Sequence, residues 1–254
     1  MRISILTFDA FNDLDSLVAF GMLSRITLLG DKDWQVRIAS PTPRVTSMNG
    51  LTIDAHEDLS QLAEADAVLV GSGMKTREVA NTPALMEQLR VLNPARQLLA
   101  AQCSGTFLLG RLGLLGGMPA CTDLTSKPWV VESGVDVVPR AFTARGNVAT
   151  AGGCLSSQYL VTWLLARLKG LDAAQASPPT ARAAADAMGK GFNLGQMFDN
   201  SQHPTTLAEA KPKIVVLVRT LMVQFVQKRE PVAARTIVRE HNREHRPAAG
   251  RRNQ

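Results

Sequence analysis

The chain has 254 residues, enough to bury either one large α/β core with a tail or two small domains. Apolar residues make up 45% and aromatics 5%, and no apolar run approaches the length of a bilayer span, which excludes disordered, fibrous and membrane-spanning classes. The net charge of +6 is uneven: eleven Lys/Arg face three Glu from Lys211 onward, so residues 1–210 are slightly acidic and nucleic acid is not the expected partner.

The N-terminal stretch Arg2 to Phe8 reads as a strand and not as a leader, because it turns acidic at once and lacks a small-residue cleavage site. Leu14, Leu17, Val18, Leu23, Ile26 and Leu29 recur at helical spacing, which predicts a helix over 14–29 with Asp15 in its first turn. A carboxylate there suits the helix dipole, and it also lies on the rim beyond a strand's carboxyl end, where open α/β sheets bind ligands. Asp13 is its rival. A second strand is expected over 34–39, and two short strands punctuated by Pro41, Pro43, Asn49 and Gly50 run to Ile53. Residues 54–63 read as a polar connection or short helix, with His56 solvated. Ala67 to Val70 is a central strand ending in Gly71-Ser72-Gly73, where two glycines allow close backbone approach and free N–H groups of the kind an oxyanion hole needs.

A helix over 83–92, opened by Pro83, leads to the most informative stretch, QLLAAQCSGTFLLGRLGLL over 97–115. A short buried strand breaks at Gln102-Cys103-Ser104-Gly105 and becomes a helix at Thr106. That corner lifts the Cys103 sulfur above the sheet at the positive end of the helix dipole, which predicts a nucleophilic thiolate. Gly105 lets the helix start close to the neighbouring strand. Beyond it, the sequence predicts a short strand at 120–122 and a helix at 126–132. A hairpin of 135–141 with 147–150 follows, turning at Arg145-Gly146, and then a helix at 155–168 entered through Gly152-Gly153-Cys154. Cys154 is either a small residue packed at a helix start or a second thiol near the site. The three cysteines, Cys103, Cys121 and Cys154, have neither disulfide-framework nor metal-ligand spacing and suit a reducing cytoplasm, which is the expected location. After a Ser177-Pro178-Pro179 linker, 181–188 has helical propensity. The apolar 214–227 stretch is expected to pack on the body or on a partner, and the basic end beyond Arg235 to fray.

Four features in order, namely Leu14-Asp15, the Val-Leu-Val-Gly-Ser-Gly turn at 68–73, the Cys103 elbow and Ala-Thr-Ala-Gly-Gly at 149–153, resemble the DJ-1/PfpI superfamily, the cysteine branch of the class I glutamine amidotransferase-like fold. The resemblance implies a flavodoxin-like parallel sheet sandwiched by helices in a domain over 1–170, with a partly helical, basic extension over 171–254. The Asp15 and Cys103 pair is most similar to isonitrile hydratases. It implies a hydro-lyase in which Cys103 attacks the isonitrile carbon, Asp15 is the general acid and water releases an N-formamide, with no metal and no organic cofactor. Gly73 and Ser104 would supply oxyanion or substrate contacts, and Gly153 and Cys154 would lie beside them. A small-molecule substrate, a homodimer and no membrane association are implied as well.

The chain also departs from that pattern. Ser72 stands in a turn that is usually Pro-Gly-Gly, Asp123 where many relatives have histidine, Ser104 where PfpI-type proteases have histidine, and Tyr159 in place of an acid. No histidine lies between His56 and His203, so protease and amidotransferase chemistry through a Cys-His pair falls away. Two alternatives remain: the ligand-sensing half of an AraC-type transcription regulator, and a redox-sensing or glyoxalase/deglycase-like protein. Members of the latter group usually carry glutamate at the position of Asp15.

Overall fold

The computed structural model describes residues 1–29 and 31–170. The linker, helix and tail readings beyond residue 170 lie outside the described residues. In chain order the strands are β1 (Arg2–Leu6), β2 (Gln35–Ala39), β3 (Arg44–Thr46), β4 (Thr52–Asp54), β5 (Ala67–Val70), β6 (Leu98–Gln102), β7 (Phe142–Arg145) and β8 (Val148–Ala151). The helices are α1 (Asp13–Ser24), α2 (Thr76–Ala80), α3 (Pro83–Gln88), α4 (Gly105–Arg111), α5 (Lys127–Glu132) and α6 (Ser157–Lys169).

Six strands make one sheet in the order β2-β1-β5-β6-β8-β7, and β3 and β4 form a separate antiparallel ribbon. All neighbours in the large sheet are parallel except β7, which closes the edge antiparallel to β8. β5 and β6 are buried along their whole length, as expected of continuous apolar strands covered on both faces. Strand alternation divides the core into two layers. Ile3, Ile5, Ala67, Leu69, Leu98 and Ala100 pack with residues of α1 and α6. Leu6, Val68, Val70, Leu99 and Ala101 pack on the other side with residues of α4 and α5. The fold is therefore a mixed α/β sandwich around a mostly parallel sheet. The pairing of Leu6 with Val70, Val70 with Ala101, and Gln102 with Ala151 brings the carboxyl ends of β1, β5, β6 and β8 to one rim.

Several local expectations are corrected. The hairpin is made by Phe142–Arg145 with Val148–Ala151, and 135–141 contributes only a single bridge from Val137 to Ala120. That one bridge is also all the strand that forms at 120–122. The helix expected over 14–29 ends at Ser24 and continues as a 3-10 turn, and that over 83–92 does the same after Gln88. The helix after the elbow stops at Arg111, ahead of Gly113, which takes a positive φ of 72°. His56 is engaged: its Nδ1 accepts the Ile38 N–H at 2.8 Å and its ring stacks on Phe20.

Gly105 is the tightest point between layers. A Cβ built there would lie 2.5 Å from the Val70 carbonyl oxygen and 2.7 Å from that of Gly71, both backbone atoms that cannot step aside. Gly105→Ala is expected to lower unfolding stability by about 1–3 kcal/mol, as overpacking against backbone does. Urea denaturation of the two proteins checks this, and equal midpoints would show that α4 can pull away freely.

Candidate active site

Cys103 is the corner between β6 and α4, at the N-terminus of the helix, with φ of 47°, a left-handed conformation unusual for a residue with a side chain. Its N–H donates to the Ala151 carbonyl at 2.9 Å, and its own carbonyl accepts the Thr122 hydroxyl at 2.8 Å and the Thr106 N–H at 3.2 Å. The sulfur is buried, the residue being 3% exposed, and the thiol donates to the Gly152 carbonyl at 3.0 Å.

Asp15 arrives from the other side of the rim on the first turn of α1. Asn12 caps that helix, its side-chain oxygen accepting the Leu14 N–H at 3.1 Å. The Asp15 carboxyl is fully buried and accepts two hydroxyls, Ser72 on Oδ2 at 2.5 Å and Ser16 on Oδ1 at 3.1 Å. Burial pushes its pKa up from 3.8 to about 7, reinforced by negative charge on Cys154 and opposed by the two hydroxyls and the Cys103 thiol. Asp13 behaves in the opposite way. Although partial burial works against its charge, hydrogen bonds from Ser47 and Asn49, both 2.7 Å, hold its carboxyl below the ordinary value. The two acids are two residues apart, and only Asp15 faces Cys103.

Cys154 opens the 3-10 turn after β8 and is half-buried. Its sulfur accepts the Asn12 side-chain amide at 3.0 Å. The Asp15 carboxylate oxygen and the Cys103 and Cys154 sulfurs all lie within 4.8 Å of one another. The two sulfurs share protons unequally. The hydrogen bond with Cys103, aided by that from Asn12, lowers the Cys154 pKa to about 7 against the cost of burial. The same contact, with burial and the nearby Asp15 charge, raises that of Cys103 well above the ordinary thiol value. Cys103 therefore keeps its proton, on the Gly152 carbonyl, and Cys154 is the sulfur that ionises first. Ionisation of Cys103 is thus opposed by its contact with Cys154, by burial and by the Asp15 charge, and negative charge is favoured on Cys154.

Other expected site residues are placed as follows. The Gly73 N–H donates to the Ser104 side-chain oxygen at 3.2 Å, and that oxygen also meets the Thr76 hydroxyl at 2.7 Å, so both residues brace the turn beside Cys103. Gly153 presents its carbonyl inward, accepting the Gln102 side-chain amide at 2.7 Å. The same amide reaches the Gly152 carbonyl at 3.1 Å and Cys103 Sγ at 3.5 Å, tying the ends of β6 and β8. Asp123 accepts the Ser126 N–H at 3.0 Å and its charge also opposes ionisation of both cysteines. Asn12, Ser16 and Gln102 were not legible as site residues, since each acts through contacts across the rim. Ser72 carried a signal, as the departure from the glycine turn. The spacing of Asp15, Cys103 and Cys154 is compatible with a soft cation as well as with proton sharing. The cluster joins residues far apart in sequence, which no local spacing could announce.

A carboxyl whose folded pKa exceeds its unfolded value contributes stability below about pH 4, and that contribution is lost as pH rises to about 7. Asp15→Asn should therefore remove a fall in stability between those limits of at most about 4 kcal/mol. Denaturation of both proteins across pH 4–8 checks this. Parallel stability curves would mean that Asp15 is ionised throughout.

The DJ-1/PfpI family model matches residues 1–166. Among solved structures, the chain is similar to a two-domain protein with DJ-1/ThiJ/PfpI-like and ferritin-like domains from Anabaena variabilis, with 21% identity and a TM-score of 0.61 over 74% of this chain and 54% of that one. It is also similar to an AraC family transcriptional regulator from Pseudomonas putida, with 22% identity and a TM-score of 0.60 over 74% of this chain and 98% of that one. A cysteine-to-alanine mutant of a DJ-1 superfamily protein from Salmonella typhimurium gives 21% identity and a TM-score of 0.59 over 76% and 99%. The chain thus spans about half the length of the Anabaena protein, and a search of curated proteins finds no match. The likenesses to solved structures carry the fold alone, and with the match over 1–166 they lead to one conclusion: the chain belongs to the DJ-1/PfpI family.

Proposed function

We propose that the site hydrates a small isonitrile to an N-formamide, with Cys103 as nucleophile, Asp15 as general acid and Cys154 as the base that receives the Cys103 proton. The observation that carries this is the Asp15 carboxyl: fully buried, titrating near 7, held by two serine hydroxyls and within 4.8 Å of the elbow sulfur. A carboxyl that is half-protonated at neutral pH can deliver a proton without a histidine.

The proton bookkeeping closes over one cycle. The terminal isonitrile carbon takes the Asp15 proton as the Cys103 sulfur bonds to it, and Cys154 accepts the thiol proton that Cys103 gives up. The product is a thioimidate on Cys103 with Asp15 charged and Cys154 neutral. Water then adds to the thioimidate carbon, losing a proton to Asp15, while Cys154 returns its proton to the nitrogen. The tetrahedral adduct collapses to the N-formamide, and its hydroxyl proton goes to the departing Cys103 sulfur. Gln102 Oε1 is buried and without a partner, and it is the acceptor that would seat the incoming water. The catalytic domain in this proposal is 1–170, with 171–254 an accessory extension. The assembly is a homodimer, a common state in the family.

Turnover of a simple alkyl isonitrile, followed by product formamide, tests the assignment. Cys103→Ala should abolish it. Asp15→Asn should leave Cys103 open to alkylation while turnover drops roughly a hundredfold to ten-thousandfold, the usual worth of general acid help. Wild-type turnover in Asp15→Asn would remove the acid, and a wild type inert toward isonitriles would remove the reaction.

The pH profile follows from the same groups. Activity needs Asp15 protonated and Cys154 ionised, and both titrate near 7, so kcat/KM should trace a narrow bell around neutrality. Ser72→Ala deletes a hydrogen bond that favours the charged carboxyl and should move the alkaline limb to higher pH. An alkaline limb that does not move would detach it from Asp15.

A further inference from the structure

The proposed hydration uses Cys154 only as a proton acceptor, yet the position of its sulfur suits a second chemistry. Its sulfur and that of Cys103 lie within 4.8 Å of each other, inside a cluster completed by the Asp15 carboxyl. The two are unequally accessible: Cys154 is half-buried at the rim, whereas Cys103 is 3% exposed beneath it. They are also unequally partnered. The Asn12 amide donates to Cys154 Sγ at 3.0 Å, a contact that supports negative charge on that sulfur. The Cys103 thiol is itself a donor, to the Gly152 carbonyl at 3.0 Å. The third cysteine, Cys121, is fully buried and lies outside the cluster.

We propose that Cys103 and Cys154 form a two-cysteine site that reduces hydroperoxides, in which Cys154 is oxidised first and Cys103 resolves it. The Cys154 thiolate attacks the terminal oxygen of the peroxide. A sulfur–oxygen bond forms, the oxygen–oxygen bond breaks, and the departing alkoxide takes the Asp15 proton to leave as an alcohol, or as water from hydrogen peroxide. Cys103 then attacks the sulfur of the Cys154 sulfenic acid. Its thiol proton joins the departing hydroxide as water, and a disulfide closes. An external dithiol reopens it by exchange, supplying two electrons and the two protons that restore Cys103 and Asp15. The disulfide also holds Cys103 back from irreversible oxidation.

The test uses the reduced full-length protein with one equivalent of hydrogen peroxide, then with cumene hydroperoxide, followed by denaturing alkylation with iodoacetamide and mass spectrometry of fragments. The expected result is a Cys103–Cys154 cross-linked fragment that dithiothreitol opens, with Cys121 still alkylated. Cys103→Ser should stop at a Cys154 sulfenic acid that dimedone traps. Cys154→Ser should slow loss of the Cys103 thiol at pH 7 by about tenfold or more, because no Cys154 sulfenic acid is then formed for it to attack. Oxidation of Cys103 to sulfinic acid at equal rates with and without Cys154, or peroxide leaving both thiols intact, overturns the proposal. Should either variant misfold, limiting iodoacetamide on the native wild type decides: labelling of Cys154 before Cys103 is expected, and the reverse order overturns it. None of these readouts requires isonitrile turnover, so failure of the hydration reaction and failure of the dithiol site are separately visible.

Discussion

Cys103 is held with φ at 47°, a backbone state that costs an L-residue roughly 1–2 kcal/mol and that an unconstrained chain would relax. It persists because its neighbours leave no room for anything else. Its N–H is bound to Ala151 of β8, its carbonyl to Thr122 and Thr106, and the next turn is pressed through Gly105 against the carbonyls of Val70 and Gly71. The corner thus joins three strands, β5, β6 and β8. Once the corner is fixed, the sulfur can point only toward Gly152, Cys154 and Asp15, so the backbone strain sets the membership of the site.

Within that site the controlling quantity is how many negative charges the enclosed space accepts. Asp15 and Cys154 both titrate near 7, charge on Cys154 disfavours ionisation of Asp15 as charge on Asp123 disfavours that of Cys154, and Cys103 is pushed well above the ordinary thiol value. Near neutrality the cluster is therefore poised between neutral and singly charged states, with the first thiolate on the sulfur nearest solvent. Asn12 links the two halves of this arrangement. Its oxygen caps the helix that carries Asp15, and its nitrogen steadies the charge on Cys154. A single side chain thereby couples the position of the acid to the ionisation of the base.

The framework was largely readable because its signals are local. Ala67–Val70 is a strand as expected, since a short apolar run between Asp66 and Gly71 has no other use. Cys103 stood out for the same reason, lying immediately after a strand at a turn with few alternatives, and Asp15 because it falls in the first turn of the helix that follows β1. The misreadings came where local preference met tertiary demand. Residues 135–141 are rich in valine and look like a strand, but the edge position beside β8 is taken by Phe142–Arg145, the residues that follow directly. The Thr76–Ala80 helix was overlooked because five residues are too few to show a period. Ionisation was the least legible property of all. It depends on Ser72 reaching Asp15 from the turn after β5 and on Asn12 reaching Cys154 from the start of α1, and sequence spacing carries no record of desolvation.

The strand order has a consequence for how the site comes into being. Its members sit on α1 and just past the carboxyl ends of β5, β6 and β8, and the β6–β8 pairing is parallel, with the whole segment from α4 to β7 looped out between the two strands. Parallel pairings of this kind carry a loop-closure cost before their contacts form, which makes them slow to form. Until β8 docks, Cys103 lacks its Ala151 anchor and Cys154 lacks its neighbours, so both are ordinary free thiols on an unfinished chain. Chemical character at this rim therefore requires β8 to be in place, and a chain in which that strand has not docked carries no activated sulfur.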